Sequence, residues 1–114
     1  MDAYDREISE ALLAIEAELR FLSLWESEPP PAADLLSKQP FCCDTLMFPQ
    51  WVQWILLPRM WTIIDQGGPY PARCGIYVYA EEWAMHQGAD CLTLLQLIKQ
   101  FDTLIEGRLS NGLH

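Results

Sequence analysis

Two charged residues fall where the helical pattern otherwise predicts apolar side chains. Arg59 would share a helical face with four apolar residues: Val52, Ile55, Leu56 and Ile63. Asp102 would lie in an apolar sector formed by three others: Leu95, Ile98 and Ile105. Charges in apolar surroundings are rarely left unpaired. These two residues are therefore predicted to form an internal ion pair or to provide the polar floor of a pocket.

The ion-pair hypothesis makes Arg59 partly buried and hydrogen-bonded to Asp102, with Glu81 or Glu82 as the second choice of partner. A guanidinium suits this role because its planar fork can engage both carboxylate oxygens. Pairing would lower the pKa of Asp102 in the folded protein. Removing one partner of a buried pair would cost about 3–5 kcal/mol, because the other charge is then stranded.

The pocket hypothesis places a small-molecule ligand between helices, on a floor of Arg59 with Asp102, Asp44 or Gln53 nearby. The two hypotheses predict different surfaces. A deep pocket that opens onto Arg59 would favour a ligand, whereas a flat apolar patch on a two-fold axis would favour contacts between proteins.

Other reactive side chains do not form a recognisable site. The residues that could bind a metal or act as nucleophile and base are scattered: Cys42, Cys43, Cys74, Cys91 and His86. No C-x-x-C or H-x-x-x-H spacing, glycine-rich phosphate loop or G-x-S-x-G turn occurs. We therefore predict no metal, no cofactor and no catalytic residues, with the cysteines as reduced thiols.

Charge and composition narrow the possible partners. The formal net charge of −9 disfavours direct binding to nucleic acid or to anionic lipid. The acidic start of the chain does not resemble a signal peptide. The apolar run 51–64 is too short for a membrane span and contains Arg59. A cytoplasmic protein is expected.

Apolar spacing and Gly/Pro stops predict four main helices, near residues 3–26, 46–66, 76–87 and 90–106, with a short helical turn near 32–37. Asp2 would cap the first helix and Asp90 the last. The core line of the last helix is predicted to be Leu94, Ile98, Phe101 and Ile105. No sheet is expected. The predicted fold is all-α, a single-domain helical bundle that spans residues 1–114.

The stretch 41–68 is predicted to be the centre of this bundle. A helix that is apolar on every side must be surrounded by the rest of the chain, so Trp54 and Trp61 should be enclosed. Asp44 or Thr45 would cap the start of this helix. Pro58 should kink it, because proline removes one backbone hydrogen bond.

Several motifs carry a family resemblance. They are LSLWES at 22–27, PPP at 29–31, PFCCDTLMFPQWVQWILLPRM at 40–60 and YAEEW at 79–83. The chain resembles the YqcC-like family of small bacterial proteins from about residue 4 to 105. This resemblance implies an all-α cytoplasmic protein and supplies no activity. Family members are often encoded beside a tRNA pseudouridine synthase, which implies an RNA-modification context reached through a protein partner.

The sequence thus favours a non-enzymatic domain that acts through contacts with a protein partner or as a homodimer. Its aromatic residues agree with this, since Trp, Tyr and Met are enriched at contact surfaces as well as in cores. The alternative is a small-molecule binder or enzyme whose pocket lies around Arg59.

Overall fold

The computed structural model describes residues 3–72, 74–87 and 90–112, with side chains up to residue 107. Its elements are α1 (Ala3–Phe21), two 3₁₀ turns (Ala32–Leu36 and Pro40–Cys42), α2 (Phe48–Trp51), a π-helical turn (Val52–Leu56), α3 (Leu57–Gln66), α4 (Ile76–Met85) and α5 (Leu92–Gly112). We call the continuous run of α2, the π-helical turn and α3 the central helix. The described part of the chain contains no strand, so the predicted all-α fold of four main helices is confirmed.

Helix α1 follows its apolar stripe. Ile8, Leu12, Ile15 and Leu19 are each 0% exposed, as expected for residues that recur every three or four positions on one face. The helix ends at Phe21, five residues before its predicted end, because Ser23 adopts a left-handed backbone conformation with φ of 62°. Three prolines follow at 29–31 and keep the chain extended. The proposed cap at Asp2 lies outside the described residues.

The central helix begins at Phe48, and the predicted caps do not cap it. The backbone N–H of Met47 instead donates to the side-chain oxygen of Gln50 at 2.7 Å, which is the return half of a capping interaction. Asp44 and Thr45 secure the preceding connection, since Thr45 donates its hydroxyl hydrogen to the Asp34 carbonyl at 2.7 Å.

Pro58 lies in the first turn of α3, directly after the π-helical turn. At this turn the backbone N–H of Leu57 donates to the Val52 carbonyl, five residues back. Because proline has no backbone N–H, Pro58 cannot donate the regular helical hydrogen bond, and the wider turn accommodates this loss. The sequence predicts a kink at Pro58, and the irregularity of the helix there takes the form of a π-helical turn just before the proline.

The central helix is covered unevenly: its first half is buried on several faces, at Trp51, Val52 and Gln53, whereas α3 leaves one side open. Val52, Leu56 and Met60 are buried, whereas Pro58, Arg59 and Thr62 are exposed, and two tryptophans, Trp54 and Trp61, are half-buried. The prediction that the rest of the chain encloses both tryptophans is wrong. Part of an apolar helix thus remains accessible beside α3.

Helices α1 and α4 both pack against α5, and α1 also contacts α3. The core line of α5 is as predicted: Leu94, Ile98, Phe101 and Ile105 are at most 1% exposed. Asp90 caps this helix by accepting a hydrogen bond from the Leu92 N–H at 3.0 Å. Its backbone stays helical to Gly112, beyond the predicted end. Among the described residues, no helix is long and apolar enough to cross a bilayer.

Candidate functional site

A groove of about 730 Å³ lies beside the central helix. Its base is made of buried apolar side chains, among them Leu56, Met60 and Ile76. Its walls come from the connections before and after the central helix, including Pro40, Phe41, Pro69 and Tyr70. The groove exists because the open side of the central helix is only partly covered by these proline-containing connections.

One wall of the groove is a cluster of aromatic rings around Phe41. This ring stacks on Tyr79, with centroids 4.8 Å apart, and meets Trp51 edge to face at 4.9 Å. Phe41 has a φ of 58°, in the left-handed region that non-glycine residues seldom occupy. Such a conformation costs on the order of 1–3 kcal/mol and persists where the surroundings fix it. Here the ring contacts hold Phe41 against the groove.

Arg59 is the only charged residue among the described residues that line the groove. Its side chain is exposed. It makes no hydrogen bond or ion pair with any residue in the described part of the chain. A single cation therefore stands beside a largely apolar surface.

Asp102 lies elsewhere, on α5, with its carboxylate against the start of α4. The residue is 8% exposed, and Oδ2 accepts a hydrogen bond from the Tyr77 backbone N–H at 2.7 Å. Oδ1 is buried without a partner among the described residues. Burial raises the pKa of Asp102, although backbone hydrogen bonds from Tyr77 and Ile76 lower it, and nearby Glu106 raises it further.

The predicted ion pair between Arg59 and Asp102 is therefore wrong, and so is the predicted lowering of the Asp102 pKa. The positive partner of Asp102 is the N-terminal end of α4, whose free N–H groups carry partial positive charge. Because these N–H groups satisfy one carboxylate oxygen, the aspartate can lie in an apolar sector without an arginine. Neither Glu81 nor Glu82 pairs with Arg59; Glu81 accepts a bond from the Tyr77 hydroxyl at 3.3 Å.

Gln53 is buried, at 5% exposure, and belongs to a different cluster. Its amide accepts from the Glu26 backbone N–H at 2.8 Å and donates to the Glu26 carbonyl at 2.7 Å. The Glu26 carboxylate also accepts hydrogen bonds from Gln50, at 3.2 Å, and from the Trp54 indole, at 2.9 Å. We call these four residues the Glu26 clamp. It fixes the connection after α1 to the central helix.

The four predicted polar residues thus lie in four different places. Asp44 is exposed and accepts a hydrogen bond from the Ser37 hydroxyl. Only Arg59 borders the groove. Glu26 is absent from the predicted site residues, although it lies in the LSLWES stretch and its partners Gln50, Gln53 and Trp54 lie in the long motif at 40–60. No local pattern marks Glu26, because these partners are 24, 27 and 28 positions away from it.

Cys74 also lines the groove, but its thiol is a poor nucleophile. Burial and the nearby carboxylates of Asp102 and Glu106 raise its pKa to about 12. A thiol with this pKa remains protonated at neutral pH, and the thiolate is the reactive form. The four cysteines are free thiols. Among the described residues, no group of three His, Cys, Asp or Glu side chains could hold a metal ion.

Fold and groove together define an all-α domain with a ligand-sized apolar groove bordered by one arginine. Residues 7–104 match a protein family, DUF446, which is described as "tRNA pseudouridine synthase C". The chain belongs to this family, which includes the uncharacterised protein YqcC of Escherichia coli.

Three relatives bear on this assignment. An uncharacterised protein of Haemophilus influenzae is 35% identical over 68 residues, which cover 60% of this chain and 64% of that protein. E. coli YqcC is 36% identical over 81 residues, or 71% of this chain and 73% of that protein. A tRNA pseudouridine synthase C of Pectobacterium carotovorum is 34% identical over 61 residues, which cover 54% of this chain and only 16% of that protein.

The fold is also shared with a solved structure. The solution NMR structure of E. coli YqcC superposes with a TM-score of 0.80 at 28% identity, over 92% of this chain and 90% of that one. The similarity therefore extends over nearly the whole of both chains.

Proposed function

We propose that this chain is a non-enzymatic cytoplasmic domain that binds a tRNA pseudouridine synthase. The match to the Pectobacterium protein carries the proposal. Because that match covers only 16% of a protein named as a synthase, a segment similar to this chain is part of a much longer polypeptide there. Joining two segments in one polypeptide keeps them at a high effective concentration. A separate domain that works with the same enzyme reaches this proximity only by binding to it.

The charge of the chain supports a protein partner over tRNA itself. A net charge of −9 opposes the phosphate backbone of RNA. The same charge complements the basic surface that an RNA-modifying enzyme needs, and such complementarity speeds association and favours the correct partner.

The test is a binding measurement between the purified chain and the tRNA pseudouridine synthase of the same organism, by calorimetry and by size exclusion with light scattering. We expect a saturable complex that weakens as salt is raised, because charge attraction is screened. A pseudouridine synthase of a different family from the same organism is the control. Absence of a complex at about 100 μM of each protein, a concentration that corresponds to a binding free energy of roughly −5.5 kcal/mol, would refute the proposal. The same light scattering on the chain alone reports homodimerisation, the other protein contact that the sequence favours.

A second candidate function is small-molecule binding in the groove beside Arg59. The observation that favours it is the groove itself, which has the volume of known ligand pockets, about 300–1,000 Å³. A ligand that binds only the folded chain would raise its melting temperature by mass action. A thermal-shift screen of metabolites therefore tests this candidate without assuming a ligand class.

A further inference from the structure

The lining of the groove specifies the kind of molecule that would fit it. Aromatic, aliphatic and proline side chains form most of the surface, with Phe41, Trp51 and Met60 among them. Burying an apolar body here would be favourable, at roughly 25 cal/mol for each Å² removed from water. The apolar lining alone does not distinguish one oily molecule from another.

Arg59 supplies the distinguishing chemistry. It borders the groove, is exposed, and has no partner among the described residues. A guanidinium binds a carboxylate through two parallel hydrogen bonds. No described acidic side chain lines the groove. The carboxylates of Asp102 and Glu106 lie near Cys74 at one part of the lining, so an anionic group would be bound at Arg59, the charged residue of the lining itself.

We propose that the groove binds a small amphipathic monocarboxylate, with its aliphatic or aromatic body along the apolar lining and its carboxylate on Arg59. This inference deepens the small-molecule candidate and does not depend on synthase binding.

The experiment is an NMR titration of the ¹⁵N-labelled full chain with decanoate, and with decanol and decyltrimethylammonium as probes of equal chain length. We expect decanoate to shift signals of groove residues such as Ile55 and Ile63 and to saturate at sub-millimolar concentration. Decanol should bind about tenfold more weakly, and the cation more weakly still.

Arg59→Gln is the decisive variant. Because Arg59 is exposed, the variant should keep the wild-type fold, which its own spectrum checks. Its affinity for decanoate should fall about tenfold, while its affinity for decanol should not change. Arg20→Gln removes a different exposed arginine, one paired with Glu16 on α1, and should leave both affinities unchanged.

The inference would be overturned by an absence of saturable shifts with decanoate up to several millimolar, by equal decanoate affinity in wild type and Arg59→Gln, or by shifts centred on exposed apolar residues outside the groove such as Phe21 and Met85. Stronger groove binding by the cation would also overturn it, yet would leave the broader ligand-binding candidate intact. If the chain binds the synthase but not decanoate, the groove inference fails while the partner proposal stands.

Discussion

Two carboxylates connect segments of this protein, and they do so in opposite ways. Glu26 lies half-buried in a connection, where side chains of the central helix surround it with hydrogen bonds to its carboxylate and to its backbone. Asp102 is buried in the middle of α5, where backbone N–H groups of α4 engage one oxygen and the other oxygen has no described partner.

The difference concerns how completely a buried polar group is satisfied. Inside a protein a fully bonded network is favourable, whereas a partly bonded group retains much of its desolvation cost. The Glu26 clamp is therefore expected to stabilise the fold more than the Asp102 cap does. Variants at each position test this comparison.

The largest effect is expected for Gln53→Ala. This change leaves both the N–H and the carbonyl of Glu26 without their partner at a half-buried position, so the free energy of unfolding should fall by about 2–4 kcal/mol. Urea unfolding measures it. Gln96→Ala, on the exposed face of α5, is the matched control and should change stability by no more than about 0.5 kcal/mol. A loss below about 1 kcal/mol for Gln53→Ala would mean that water replaces the clamp.

The next effect is expected for Glu26→Ala, which removes the carboxylate but keeps the backbone contacts with Gln53. Hydrogen bonds to charged groups contribute about 1.5–3 kcal/mol, and solvent access places this one near the lower limit, at about 2 kcal/mol. Glu26→Gln should recover part of the loss, since its amide oxygen can still accept from Trp54. Glu28→Ala, an exposed residue in the same connection, should be nearly neutral; equal losses at both positions would indicate a general charge effect.

Asp102→Ala should cost about 1 kcal/mol, the typical loss for removing a helix cap. The more informative change is Asp102→Asn, because it separates charge from hydrogen bonding. Burial raises the folded pKa of Asp102 above its unfolded value, near 3.9 in unperturbed peptides. In the window above that value the folded state binds more protons than the unfolded state, so this contribution to stability falls as pH rises.

Asp102→Asn does not titrate at this position. Its stability relative to wild type should therefore improve as the pH is raised from about 4 to 7, as measured by urea unfolding at each pH. The opposite trend, with wild type gaining as pH rises, would show that a cation pairs with Asp102 and that its folded pKa is lowered. Glu106→Gln provides the control for the neighbouring charge that also raises this pKa.

The sequence predicted the helices well because each has a local cause. The stripe of α1, the core line of α5 and the Asp90 cap all depend on residues within a few positions of one another. The Glu26 clamp could not be predicted in this way, since Glu26 and Gln53 are 27 positions apart and neither lies in an unusual local pattern.

The site prediction failed for a related reason. Helical periodicity shows that Arg59 and Asp102 each share a face with apolar residues, but not whether that face is covered. At α3 the face is left partly open and Arg59 reaches solvent; at α5 the face is buried and a helix end satisfies Asp102. The two charges in apolar sectors therefore have unrelated explanations, since Arg59 lies on an accessible face and Asp102 is hydrogen-bonded by the end of another helix. The groove forms beside the accessible face of α3.

The smallest effect is expected for Arg59→Gln, and it tests whether Asp102 has an arginine partner. An exposed arginine without a partner in the described chain should contribute within about 0.5 kcal/mol to the free energy of unfolding, in contrast to the about 3–5 kcal/mol of a buried pair. Combining it with Asp102→Asn in a double-mutant cycle should give a coupling energy within about 0.5 kcal/mol of zero, since independent sites are additive. A coupling above about 1 kcal/mol would restore the ion pair and remove Arg59 from the groove chemistry. A near-zero coupling energy would mean that Arg59 forms no ion pair with Asp102 that a bound carboxylate would have to break.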